Sequence, residues 1–228
     1  MTQFVVTIDG PAGSGKSTVA RLLAERIGAT FLDTGAMYRA VTWAALQDGV
    51  NLADEGQLAG VIDRHVFAFE AAQGDMRAFV DGRDITGWIR APELTANVRY
   101  IASSPAMRAR LVEMQRRFAK RHRRVVTEGR DQGTVAFPDA AVKFYLVADV
   151  AERARRRQAE LEAKGVRADL KELHDAILSR DASDESRTVG PLRPAADAIV
   201  IDTTTLSVEQ VVERVTEQVE ARCSNRDS

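Results

Sequence analysis

The residues Gly10-Pro11-Ala12-Gly13-Ser14-Gly15-Lys16-Ser17 follow a short apolar run, 4–8, and open a helix-patterned stretch. A strand, a glycine-rich turn and a helix in that order make a P-loop, whose successive backbone N–H groups turn inward around phosphate oxygens. The helix starting near Lys16 adds the positive end of its dipole. Gly10, Pro11, Ala12, Gly13, Ser14, Gly15, Lys16, Ser17 and Thr18 are therefore expected to hold a nucleotide, with Lys16 as a mobile charge for the β- and γ-phosphates. The Ser17 hydroxyl is placed to ligate the Mg²⁺ that accompanies ATP.

Such a loop commits the chain to an α/β architecture, and the remaining pattern agrees. Strand signals lie at 4–8, 30–32, 125–127, 142–147 and 198–201, and helical periodicity at 18–27, 105–121, 150–163, 170–182 and 207–221. Alternation of this kind predicts a doubly wound parallel sheet covered on both faces. One stretch breaks the rhythm. Val66-Phe67-Ala68-Phe69-Glu70, a polar Gln73-Gly74-Asp75, and Arg77 onward to Ile85 predict a small antiparallel hairpin or meander, too small to bury its own core. The 228 residues are accordingly expected to form one unit, with a core of 1–62 and 91–228 and an insert at 63–90.

With 32 Lys+Arg against 33 Asp+Glu, the net charge of −1 gives no reason to expect a polyanionic partner such as DNA. Local charge is denser: Arg108, Arg110, Arg116, Arg117, Lys120, Arg121, Arg123 and Arg124 in one stretch, and Arg153, Arg155, Arg156 and Arg157 in another. Most are expected on solvated helix faces, and a few on a small anionic substrate. The only cysteine is Cys223, beside the polar stretch Ser224-Asn225-Arg226-Asp227-Ser228. No intrachain disulfide is therefore possible, and a cytoplasmic protein without membrane contact is expected. Polar helix faces predict a monomer. His65, His122 and His174 sit in no metal-ligand spacing and are expected to be structural or solvated.

None of Asn51, Asn97 and Asn225 is followed by lysine, so the guanine-reading Asn-Lys-x-Asp sequence is absent and a GTPase switch is excluded. A transferase needs instead a second anion site built from arginines. Tyr38-Arg39 and Gly129-Arg130-Asp131 each follow a predicted strand, at the sheet edge where α/β proteins bind ligands. Tyr38 and Arg39 are candidates for an acceptor phosphate. Arg130 is a candidate clamp on that phosphate or on the transferring group, with Asp131 accepting from a base amine or aligning Arg130. Asp9 and Asp33 end strands near the phosphates, where each either orders Mg²⁺-bound water or caps a turn.

Four blocks carry a wider resemblance: Ile8-Asp9-Gly10-Pro11, Leu32-Asp33-Thr34-Gly35-Ala36-Met37-Tyr38-Arg39, the run from Gly129-Arg130-Asp131-Gln132-Gly133 to Pro138, and Arg180-Asp181 through Asp184 and Arg187 to Leu192. In these the chain resembles the cytidylate kinase family of nucleoside monophosphate kinases, in its bacterial form. The resemblance implies a P-loop kinase with a monophosphate-binding insert and a helical lid near 150–168, moving a phosphoryl group from Mg·ATP to CMP or dCMP. It implies that Lys16, Arg130, Arg180, Arg153 and Arg157 act in catalysis. Thr34, Tyr38, Arg39, Arg130 and Asp131 would bind the acceptor, Arg180 and Asp184 its ribose side, and Arg108 and Arg187 its pyrimidine.

One position departs from the family. Where it commonly has a serine contacting the base, this chain has Arg99, which donates but cannot accept from the cytosine amine. Ser103, Ser104 or Asp131 is then expected to supply the acceptor, or discrimination against uracil is weaker. Two rivals remain: the same fold acting on UMP, AMP or shikimate, and a nucleotide-sensing regulator whose basic 108–124 stretch binds RNA.

Overall fold

A computed structural model describes residues 3–72 and 75–224; the side chains of 92, 93, 95 and 224 lie outside that description. Outside it as well are Gln73 and Gly74 of the expected hairpin turn and the polar tail from Asn225. Five parallel strands form the main sheet in the order β2 (Thr30–Asp33), β6 (Arg124–Gly129), β1 (Phe4–Asp9), β7 (Val142–Val147) and β8 (Ile199–Asp202). Val5, Leu32 and Val125 belong to one hydrophobic core, and Val6, Phe31 and Val126 to the other. That alternation puts an apolar layer on each face, as a parallel sheet buried on both sides requires.

Helices α1 (Lys16–Arg26) and α8 (Val208–Ser224) cover one face through Val19, Leu23, Val211 and Val215. The other face is covered by α2 (Thr34–Gln47), α3 (Glu55–Arg64), α4 (Pro92–Ser103) and α5 (Pro105–Ala119), with Met37, Val41, Leu58, Ile101, Leu111 and Phe118 in one cluster. Helices α6 (Val150–Glu162) and α7 (Leu170–Glu185) pack on each other.

The irregular stretch forms a second, antiparallel sheet of β3 (Phe67–Ala72), β4 (Asp75–Val80) and β5 (Arg83–Asp84), turning at Asp81-Gly82. Phe69, Met76, Ala78, Val80 and Ile85 enter the same core as α2, so this small sheet is stabilised by the body it lies on.

The strands β1, β2, β6 and β8 run one or two residues past their predicted ends, and the added residues include Asp9, Asp33, Glu128 and Asp202. An apolar pattern stops at the last apolar side chain, whereas the backbone ladder continues. At the end of β2 the chain passes into a helix with no connecting loop. Thr34 already begins α2, and Asp33 caps it by accepting from the Ala36 N–H at 2.8 Å.

Candidate active site

Polar residues at the strand ends and the P-loop meet at the carboxyl edge of the sheet. Gly10 follows β1 with φ +147°, and a Cβ there would run into the Leu146 carbonyl oxygen of β7. Only glycine lets the chain leave the strand at this point. The loop closes on itself through Ser14 Oγ, which donates to Pro11 O at 3.1 Å, and then starts α1 at Lys16. The Lys16 side chain is buried and donates from Nζ to Pro11 O at 2.7 Å. Burial above all, then the nearby Arg130, pulls its pKa down to about 7, against the opposing pull of Glu128.

Ser17 Oγ donates to Glu128 Oε1 at 3.1 Å, and the Thr34 hydroxyl donates to the Glu128 carbonyl at 2.7 Å. Glu128 was not among the sequence candidates; its only signal was to follow the apolar run at 125–127 directly. Asp9 and Asp33 are otherwise engaged. Asp9 accepts from the N–H groups of Gln132 and Gly133 at 2.9 and 2.7 Å, and Asp33 caps α2 and pairs with Arg39 at 3.1 Å. Among the described residues no cluster of three His, Cys, Asp or Glu side chains gathers a resident metal. The Ser17–Glu128 pair, a hydroxyl and a carboxylate, is chemically suited to Mg²⁺, which takes most of its ligands from phosphates and water.

The opposite wall is built from paired charges. Asp131 ion-pairs with Arg108, both deeply buried, and the Arg108 guanidinium lies 5.9 Å from the Tyr38 ring centre. Burial pushes the Tyr38 hydroxyl up to about 12, so it stays protonated. Asp184, near the end of α7, accepts from Arg130 Nε at 2.8 Å and also from Arg187. Gly190, at φ +61°, passes so close that a Cβ would strike Arg108 and Asp131. The Nε–H groups of Arg39, Arg108 and Arg187 are buried without an acceptor, a property suited to arginines that grip a polar ligand.

Arg180 differs from its neighbours. Among the described residues its guanidinium makes no hydrogen bond or ion pair. Water reaches the side chain, yet the surrounding protein mass and Arg130 press its pKa down to about 10. Lys16, Arg130 and Arg180 thus repel one another across the site.

The two lid arginines are not brought together. Arg153 is buried, donating to the P-loop carbonyl of Ala12 at 3.1 Å and pairing with Asp181 of α7 at 2.6 Å. Arg157 is half-exposed and pairs with Glu160 at 2.7 Å. Thr18 is exposed in the first turn of α1. Arg99 is exposed too, lying on the Tyr100 ring and donating to its hydroxyl at 3.1 Å. Ser104 caps α5 and Ser103 is exposed, so Asp131 is the only one of the three expected acceptors in the paired-charge wall. The basic 108–124 stretch is dispersed: Arg110 pairs with Asp63, Arg117 with Glu113, and Arg116 donates to the carbonyls of Val135 and Ala136.

Strand order, phosphate loop and facing arginines define a P-loop kinase. The fold recurs in a crystal structure of an uncharacterised protein from Eubacterium ventriosum, with TM-score 0.51 and 14% identity over 96% of this chain and 99% of that one. The cytidylate kinase family model matches residues 6–221. A cytidylate kinase of Pelotomaculum thermopropionicum is 48% identical over 95% of this chain and 96% of its own length. One of Lactobacillus gasseri is 41% identical over 96% and 95%. The chain belongs to the cytidylate kinase family, and with it to the ATP-dependent phosphotransferases acting on (d)CMP.

Proposed function

We propose that the protein moves the γ-phosphoryl group of Mg·ATP to CMP or dCMP with the residues assembled above, releasing ADP and CDP or dCDP. The observation that carries this reading is a contrast within the site: among the described residues Lys16 and Arg180 bond to no carboxylate, whereas Arg108, Arg130 and Arg187 are paired with Asp131 and Asp184.

The P-loop amides from Gly10 to Thr18 and Lys16 hold the β- and γ-phosphates of the donor. Ser17, backed by Glu128, would hold Mg²⁺, which supplies charge neutralisation on those phosphates. Tyr38, Arg39 and Arg130 hold the acceptor phosphate so that one of its oxygens lies in line with the γ-phosphorus. A new P–O bond forms there as the bond from the γ-phosphorus to the β–γ bridging oxygen breaks, its electron pair leaving with ADP. Arg130 and Arg180 balance the charge on the migrating group, so chemistry is mostly positioning and electrostatics.

On the base, Arg108 and Arg187 donate to O2 and N3, while Asp131 accepts from the N4 amine. Asp184 and Thr34 complete the ribose side. Arg153 ties the α6–α7 lid to the loop, and with Arg157 nearby the lid excludes water that would otherwise take the phosphoryl group. The insert at 63–90 walls the acceptor side. The working unit is a single chain, and its site is the cytoplasm; no helix among the described residues is long and apolar enough to cross a membrane.

The test is ADP release from Mg·ATP with CMP, dCMP, UMP, AMP or no acceptor. Strong turnover is expected with CMP and dCMP alone, and Asp131→Asn should narrow the CMP-to-UMP ratio. Equal use of UMP by the wild type, or ADP release that ignores the acceptor, would overturn the reading.

A further inference from the structure

Asp9 stands on the central strand, one residue before the phosphate loop, and its register partner on β6 is Gly129, one residue before Arg130. Both carboxylate oxygens are spent on the turn beyond: Oδ1 accepts from Gln132 N at 2.9 Å and Oδ2 from Gly133 N at 2.7 Å. That turn is a single π-helical turn, Gln132–Ala136, closed by Ala136 N to Asp131 O at 3.2 Å and Phe137 N to Gln132 O at 2.7 Å. A π-turn in so short a segment needs outside support, because the wide i to i+5 ring is held by few bonds of its own.

The rest of the support is polar and buried. Gln132 accepts from Thr127 Oγ1 at 3.0 Å and reaches Gln115, and a Cβ on Gly133 would come within 2.9 Å of Thr7 Oγ1. Thr7 and Asp9 are alternate residues of β1, and Thr127 lies on β6. The turn is therefore pressed onto the two strands whose ends carry the P-loop and Arg130-Asp131. Burial pushes the Asp9 carboxyl up to about 7 even against its two backbone N–H partners. Ordinary turn capping at a strand end does not demand a carboxyl buried at such a desolvation cost.

We infer that Asp9 is a positioning residue: by gripping the 132–133 amides it fixes the distance between the donor's phosphate loop and the acceptor-holding pair Arg130-Asp131. It touches neither nucleotide. This rests on the two-site reading proposed above. A shift of about 1 Å between the halves would leave each site able to bind and would misalign the reacting oxygen with the γ-phosphorus.

Asp9→Asn keeps the shape but turns an N–H₂ group toward one of the two backbone N–H donors, loosening the turn. The probe is adenosine and cytidine joined through five phosphates, which spans both sites, measured beside ADP and CMP singly by calorimetry. Affinities for ADP and CMP should stay within about twofold of wild type, while the bridged compound weakens about tenfold or more and kcat falls about 10- to 100-fold at little-changed KM.

Should Asp9→Asn fold poorly, Gly133→Ala serves instead, since its methyl pushes the turn off Thr7 while Asp9 is intact; the same pattern is expected. A bridged compound that binds the variant as tightly as wild type, or single-ligand affinities that fall in step with it, would overturn the inference alone. Wild-type protein that binds the bridged compound no better than ADP would overturn the two-site reading and the inference together.

Discussion

Two groups of cations share one cleft and are treated in opposite ways. Around Asp131 and Asp184, Arg108, Arg130 and Arg187 each end on a carboxylate, and Arg39 ends on Asp33. Beside them Lys16 ends on a backbone carbonyl, and Arg180, one turn before Asp184 on α7, ends on no described residue. The first group sets four arginines on three carboxylates, with Arg130 and Arg187 sharing Asp184. The second is strained: desolvation by the surrounding protein above all, and then repulsion from Arg130, presses Lys16 to about 7 and Arg180 to about 10. Holding the acceptor's base and phosphate in register needs arginines preset by carboxylates, whereas transfer of a charged group needs positive charge still unmatched, and Arg130 serves both. The two halves of the proposed reaction thus ask for different electrostatics, and the cleft divides accordingly.

The hardest test of that division is Lys16→Ala. Turnover should fall by about 10³-fold or more, while the melting temperature holds or rises because a desolvated cation is removed. Activity within tenfold of wild type would break the comparison. On the paired wall the expectation reverses. Asp131→Ala strands a buried Arg108, which should cost about 3–5 kcal/mol and lower the melting temperature by about 10 °C. The double variant Arg108→Met with Asp131→Leu should recover most of that stability without recovering CMP turnover. Arg180→Met belongs with Lys16: about a hundredfold loss of turnover with no loss of thermal stability. A lower melting temperature would mean that Arg180 has a structural partner after all.

This division was only half legible in the sequence. Gly10 to Ser17 displays its phosphate loop because backbone geometry demands glycine there, as the approach of Gly10 to Leu146 shows. The alternation of Val5 with Val6 and of Val125 with Val126 likewise exposes a sheet buried on both faces. Pairing was hidden, since Asp131 meets Arg108 and Asp184 meets Arg130 across 23 and 54 residues of chain. Glu128 was missed because strand periodicity marks apolar residues, and Glu128 continues β6 beyond them. For Asp9 a choice between Mg²⁺ water and turn capping could not be made without seeing the 132–133 amides. The unlike settings of Arg153 and Arg157 were hidden as well, because Asp181 draws one inward and Glu160 holds the other in water.

The smallest expected effect separates the two walls by proton uptake. Burial brings the Lys16 pKa down to about 7 in the folded protein, against the ordinary lysine value of about 10.5 in the unfolded chain. Between those values the unfolded state binds more protons, so this group makes stability rise with pH across that window. Phosphates beside Lys16 would favour its charged form and restore the proton. Binding of ADP at pH 8.5, followed calorimetrically in buffers of different ionisation enthalpy, should therefore take up a proton, approaching about one per nucleotide. In Lys16→Met the uptake should vanish while residual binding by the loop amides remains. CMP, meeting arginines already held by carboxylates, should bind with little proton exchange. Uptake of the same size with CMP would mean that the acceptor wall also holds a cation short of its proton, and the contrast between the walls would collapse.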